Sequence, residues 1–375
     1  MRDVVEIGLG KSAQRGYHLS DVAIVPSRRT RDVDDVSTAW QLDAYPFKIP
    51  CVAHPSDATM SPSSAAALGR LGGLGTLNVE GLWCRHDDPT PILESLAALG
   101  DDQTAATRAL QRAYAAPIRP ELITDRVKSL RDAGVTVAVR VSPQHTLALA
   151  PVILDAGVDI LIIQGTIVSA EHVSTSDEPL NLKEFIADLD LPVIAGGCTD
   201  YKTALHLMRT GAAGVIVGVG ADRWSTSDTV LGIRVPMATA IADAAAARRD
   251  YLDETGGRYV HLIADGHIVS SGDIAKALGC GADAVMLGAP LALAEEAPAS
   301  GAWWHSAASH PKLPRGAFAP ARPPLGPLET VLHGPSEDPQ GSMNLFGGLR
   351  RAMAKCGYRD LKEFQKVGLV LDRNG

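Results

Sequence analysis

Eight short apolar runs recur along the chain: Ile49–Ala53, Leu74–Leu77, Thr136–Val141, Asp159–Ile163, Pro192–Ala195, Val215–Gly218, Tyr259–Ala264 and Ala284–Leu287. Within each run apolar side chains follow one another instead of alternating with polar ones, as in strands buried on both faces of a parallel sheet. Helical stretches separate the runs, and eight is the number of parallel strands that closes a barrel. The chain is therefore expected to be α/β, a (β/α)8 TIM barrel. A doubly wound open sheet also alternates strand and helix and is the structural alternative.

An internal echo supports the register. Gly211-Ala-Ala-Gly-Val-Ile-Val-Gly218 returns 70 residues later as Gly281-Ala-Asp-Ala-Val-Met-Leu-Gly288. Each copy follows a strand, a Gly-containing turn and a helix, which is how repeated units build such a barrel. Residues 83–135 show helical spacing and no strand pattern, so they read as helices and connections between strands 2 and 3. Residues 298–339 hold nine of the 24 prolines and the pair Trp303-Trp304, the composition of a long irregular excursion. Helices are expected again over Asn344–Lys355 and Arg359–Lys366. The expected organisation is one domain overall: an N-terminal segment 1–48, the barrel 49–297, a flap-like segment 298–343, and C-terminal helices 344–375 packing on the barrel.

Composition excludes several classes. A net charge of −8, with Arg28-Arg29-Thr30-Arg31 the one dense basic run, offers no general attraction to nucleic acid. No apolar run approaches membrane-spanning length and the N-terminus has no signal-peptide h-region, so a cytoplasmic protein is expected. Five scattered cysteines form no C-x-x-C pair, which argues against a disulfide framework or a metal site.

Chemistry is expected where strands 7 and 8 end, in Ala264-Asp265-Gly266 and in Leu287-Gly288-Ala289-Pro290. Glycines there let an anion approach backbone N–H groups, and a following helix N-terminus favours negative charge. The Asp265 carboxylate would repel phosphate but accepts two hydrogen bonds, so a ribose diol is its natural partner. Otherwise Asp265 caps a turn and Gly288 relieves crowding.

These residues resemble a family, the inosine monophosphate dehydrogenases and GMP reductases. The resemblance rests on Ala264-Asp-Gly with Ile268, on Ser271-Gly-Asp-Ile-Ala-Lys-Ala, and on Gly281–Gly288. Further matches are Ile49-Pro50 through Pro55-Ser56-Asp57, Gly72-Gly-Leu-Gly75, Gly218-Val-Gly220 with Gly232 and Val235-Pro236, and Gly347-Gly-Leu-Arg350 with Cys356-Gly357. The likeness is strongest to actinobacterial IMP-dehydrogenase-related proteins without the CBS pair. It implies a purine mononucleotide held by Ser56, Gly220, Arg223, Asp265, Gly266, His267, Gly288 and Ala289, with NAD or NADP as cofactor. It also implies a homo-oligomer, tetramer or octamer, and a monovalent cation near Gly220.

The chain departs from the family at several of these places. The strand 6 loop, Gly218-Val-Gly-Ala-Asp-Arg-Trp-Ser-Thr-Ser-Asp228, has Ser225-Thr226 where the family has its catalytic Cys-Thr. A serine hydroxyl needs an adjacent base to become a nucleophile, and the loop offers none. Arg223 either contacts an anion in place of the lost serine or is a solvated loop charge. His267 replaces a phosphate-facing glycine and Ala289 a phosphate-binding serine. Gln164 replaces an aspartate near the nicotinamide ribose, and Gly197 an asparagine near the base. The flap's Arg-Tyr pair is missing, with Arg315 its positional counterpart. Cys51, Cys198 and Cys280 are expected in the core, Cys198 being the one candidate replacement nucleophile. His54 either faces the pocket or closes a turn. Trp303-Trp304 either stacks on a base or, as expected here, anchors the excursion.

Three functions follow. The first is oxidation of IMP with NAD or reduction of GMP with NADPH. The second is a catalytically lapsed nucleotide-binding homologue with a regulatory or partner role. The third is an FMN-binding barrel enzyme using the same cradle, although FMN is not the expected cofactor.

Overall fold

A computed structural model describes residues 4–173 and 179–371. Its core is a (β/α)8 barrel of strands β1 (Cys51–Ala53), β2 (Thr76–Asn78), β3 (Ala138–Val141), β4 (Ile160–Gln164), β5 (Val193–Cys198), β6 (Gly214–Val217), β7 (His261–Asp265) and β8 (Ala284–Leu287). All neighbouring strands pair in parallel, β8 pairs with β1 through Val285↔Cys51 to Leu287↔Ala53, and a Val52↔Leu74 bridge closes the ring. Every residue of β1 to β6 and β8 is buried, as the unbroken apolar runs require.

The echoed segments form equivalent units. The helix before β6, Tyr201–Arg209, starts at Asp200, whose carboxylate accepts from Lys202 and Thr203 N–H. The helix before β8, Ser271–Gly279, starts with a capping box between Ser270 and Asp273. Each cap satisfies backbone donors that a helix start leaves open, worth about 1 kcal/mol.

Residues 83–135 form three helices, Thr90–Ala97, Gln103–Ala113 and Pro120–Asp132. The first two build a satellite core with the excursion rather than with the barrel interior: Leu93, Leu96 and Leu110 pack with Trp304 and Phe318. The proline-rich excursion is therefore a packed strap with its own apolar centre. The C-terminal helices are shorter than expected. Leu345–Lys355 runs nearly as expected, but the second is a single turn, Leu361–Phe364. After it Gly368–Leu371 forms a strand antiparallel to Val22–Val25. The N-terminal segment also holds two hairpins that apolar patterning did not reveal, Val4–Gly8 with Lys11–Gln14 and Trp40–Leu42 with Tyr45–Phe47.

The end of the barrel where the strands begin is tied by Asp283, at the entrance to β8, whose side chain is 4% exposed. Its carboxylate accepts from Arg248 at 2.5 Å, the Tyr259 hydroxyl at 2.6 Å, Leu262 N–H at 2.8 Å, and Lys362 and Gln365 at 3.0 Å each. Charged partners outweigh burial and hold its pKa down to about 2. No helix among the described residues is long and apolar enough to cross a membrane.

Candidate functional site

The C-terminal ends of the strands open into a cavity of about 590 Å³, the size of a small-ligand site. Its wall takes His54 from beyond β1, Asn78 and Glu80 from β2, Arg140 and Ser142 from β3, Gln164 from β4, Gly218, Gly220, Asp222 and Ser225 from the β6 loop, and Asp265 from β7. The excursion supplies a roof that includes His305 and Arg315.

Two polar clusters line this cavity. On the β2–β4 side Arg140, 6% exposed, donates to the Gln164 carbonyl at 2.5 Å, to Glu80 at 3.3 Å and to Asn78 at 3.4 Å. Glu80 also receives Ser142 N–H at 2.6 Å and lies 3.2 Å from His145. Against its own desolvation, His145 and Arg140 bring the Glu80 pKa down to about 2, and Glu80 in turn raises that of His145. This side is internally neutralised.

The other side is less settled. His305 and Asp222 lie 3.1 Å apart, with side chains 16% and 13% exposed, and Trp224 N–H holds the same Asp222 oxygen at 2.7 Å. Burial disfavours the His305 imidazolium, but Asp222 outweighs it, so the His305 pKa is raised and that of Asp222 lowered. Asp265 is half-buried and has one side-chain partner, the Gln164 amide at 3.0 Å. Desolvation by the barrel wall is the main cause that pushes its pKa up to about 7. Burial, then repulsion from His305, pushes the His54 pKa well down. A carboxyl titrating near neutrality beside an imidazole whose pKa a carboxylate raises is a constellation for moving protons.

The residues expected at the catalytic, nucleotide and cofactor positions are scattered. Gly220, Ser225, Asp265 and Gln164 line the cavity; Ser56, Gly197, Arg223, Thr226, Gly266, His267, Gly288 and Ala289 do not. Ser56 is buried and donates to the Trp304 carbonyl at 2.7 Å, so its hydroxyl anchors the strap instead of meeting a ligand. Arg223 is exposed and lies 5.2 Å over the Trp224 ring. His267 is exposed, with its ring 4.0 Å from Asp222. Gly266 packs on the Met237 side chain, and Ala289 belongs to the satellite core. At Gly288 a Cβ would overlap the Trp303 indole, so the ring occupies the space that the glycine leaves. Gly197 is engaged with backbone, accepting from Val168 N–H at 3.0 Å. Thr226 accepts Val230 N–H through its carbonyl, at the start of a short helix.

Ser225 faces the cavity, but among the described residues its hydroxyl meets only Ser227, at 3.2 Å, and has no base as a hydrogen-bond partner. Cys198 is buried and desolvation pushes its thiol up to about 12, which makes it a core residue. Trp304 is buried against Phe318 and donates to the Tyr114 hydroxyl at 3.0 Å, an anchor as expected. Sequence reasoning missed Glu80, Arg140, Asp222 and His305. The signal for Asp222 was present, since an acidic residue stands within the altered β6 loop; His305 follows the tryptophan pair without any motif of its own.

The IMP dehydrogenase / GMP reductase domain model matches residues 16–317. An uncharacterized oxidoreductase of Mycolicibacterium smegmatis is 62% identical over 373 residues, covering 98% of this chain and all of the relative. The inosine-5'-monophosphate dehydrogenase of Methanocaldococcus jannaschii is 31% identical over 247 residues, 59% of this chain and 48% of that enzyme. Among solved structures, an IMP dehydrogenase/GMP reductase-like protein of Corynebacterium glutamicum superposes with a TM-score of 0.94 at 56% identity, covering 99% of this chain and 98% of that one.

Proposed function

The chain belongs to the IMP dehydrogenase / GMP reductase domain family, and on that premise we propose that its open-end cavity binds a purine-nucleoside-type ligand and handles protons on it without covalent attack. A general oxidoreductase role is what the family and its named relatives support. The observation that carries the narrower reading is the Asp222–His305 pair beside Asp265, set against a Ser225 that lacks a base.

Asp265 offers one carboxylate oxygen to a ribose hydroxyl while the other holds Gln164. His305, fixed in orientation by Asp222, holds a proton at the Nε2–Asp222 contact and returns it to a ligand atom only as that contact loosens. NAD or NADP placed as the resemblance implies does not fit the residues present. Gln164, at the position tied to the nicotinamide ribose, spends its amide on Asp265 and the Met286 sulfur.

The competing reading is full turnover of IMP with NAD or of GMP with NADPH, favoured by the β6 loop glycines that still line the cavity. Nicotinamide absorbance with both substrate pairs separates the two. We expect a flat trace from the wild type and from Ser225→Cys. Turnover restored by that one substitution would sink the proposal, because it would mean that only the nucleophile had been lost.

A further inference from the structure

Tyr114 closes the helix Gln103–Ala113, in the connection between β2 and β3, and reaches the wall of the open-end cavity. Its hydroxyl lies between two buried groups from distant parts of the chain. It donates to the Asp57 carboxylate at 2.6 Å and accepts from the Trp304 indole N–H at 3.0 Å. Asp57, beyond β1, and Trp304, in the strap, are 1% and 0% exposed. Leu82 N–H, beyond β2, donates to the same Asp57 oxygen at 3.1 Å.

The direction of this chain of bonds is fixed by chemistry. Burial pushes the Asp57 pKa up to about 6 against the Tyr114 and Leu82 donors, so its carboxylate is mostly ionised at neutral pH. An ionised carboxylate can only accept and an indole nitrogen can only donate, so the hydroxyl between them must donate to Asp57 and accept from Trp304. Apolar contact alone would not fix the indole in this way. Trp304 also stacks on Phe318, with ring centroids 5.9 Å apart, but a stacking face lets a ring slide and turn in its own plane, whereas a hydrogen bond at its edge is directional. Ser56 donates to the Trp304 carbonyl at 2.7 Å, so both the ring and the peptide leading into His305 are held. The same connection grips the strap further along. Gln103 exchanges two hydrogen bonds with the Phe318 backbone, at 2.8 and 2.9 Å, and Gln111 donates to the His310 carbonyl at 3.1 Å. His305 and Arg315, which the strap brings to the cavity, lie between these grips.

We infer that Tyr114 is a positioning residue: its hydroxyl, between Asp57 and Trp304, sets the strap so that His305 meets Asp222 at the cavity. Its effect on a bound ligand rests on the function proposed above; its effect on the strap does not.

The test is Tyr114→Phe, which keeps the ring and removes the hydroxyl. His305 is faced by Asp222, Asp265 and the His54 ring, and in histidine-labelled wild type its NMR titration should lie above the ordinary 6.5. In Tyr114→Phe it should fall toward that value as the Asp222 contact loosens. Hydrogen exchange at the Trp303, Ala317 and Ala319 amides of the strap should rise roughly tenfold or more, while β4 and β5 stay as protected as before. Calorimetry with IMP should show affinity lowered roughly threefold or more, since fewer molecules hold the strap in the binding-competent position. Trp304→Phe removes the same bond from its other side, so the double variant should exchange no faster than the faster single one. An unchanged His305 titration or unchanged strap exchange in folded Tyr114→Phe would overturn the inference, as would rates that multiply in the double variant. If Tyr114→Phe does not fold, Trp304→Phe carries the titration and exchange arms with the same expected outcomes. If IMP binds neither wild type nor variant, the ligand reading fails while those two arms still decide the role of Tyr114.

Discussion

Each end of the barrel draws an aspartate away from bulk water, and the two are treated in opposite ways. Asp283, at the end where the strands begin, is surrounded by Arg248, Lys362, Tyr259, Gln365 and a backbone N–H, and its pKa falls to about 2. Asp265, at the open end of the adjoining strand, has Gln164 as its side-chain partner, and its pKa rises to about 7. Desolvation acts on both. What differs is the supply of donors: a fully met carboxylate is a staple, while an under-met one keeps capacity for a ligand or a proton. The two aspartates are a test of which end carries stability and which carries chemistry.

Removing the staple should have the largest effect. Asp283→Ala leaves Arg248 buried beside orphaned donors and should cost about 3–5 kcal/mol in urea unfolding. A loss below about 1 kcal/mol would mean that the network is ornamental. Next is the pH dependence of Asp265. Because its folded pKa lies above the ordinary 3.8, its contribution favours folding below about pH 4 and is lost as pH rises through about 7. Asp265→Asn should therefore be more stable than the wild type by about 2 kcal/mol at pH 8 and no more stable at pH 4. Destabilisation at pH 8 would put Asp265 in the same class as Asp283. The smallest effect is expected at Ser225: Ser225→Ala should change stability by less than about 0.5 kcal/mol and leave the heat of inosine binding unchanged, whereas a marked loss of binding would return the β6 loop to the centre of the site.

The barrel was legible because its strands announce themselves locally. Ile160–Gln164 and Ala284–Leu287 are buried on both faces, so apolarity alone marks them within a residue or two. Val4–Gly8 and Gly368–Leu371 are largely apolar too, yet their residues face solvent in two-stranded pairs outside the barrel, so there an apolar run does not signal a buried strand. The candidate site was legible only where a residue acts from its own strand end, as Asp265 and Gln164 do. Gly288 was read as an anion contact from its local sequence, and Ser56 and Ala289 through the resemblance; in the fold the strap, distant in sequence, packs against all three. No periodicity encodes the meeting of Trp303 with Gly288, or of His305 with Asp222. Those contacts are set by how a proline-rich segment packs on Leu93, Leu96 and Leu110.

The antiparallel pairing of Val22–Val25 with Gly368–Leu371 also imposes an order in time. As the polypeptide leaves the ribosome, the early strand emerges with its hydrogen-bonding edge open, and its partner is among the last of the described segments to be made. β1 waits likewise for β8 before the ring can close. An unpaired edge held open for most of synthesis is a surface for mispairing between nascent chains, so slowed translation late in the message should lower the yield of this protein more than slowing of the same length near its start.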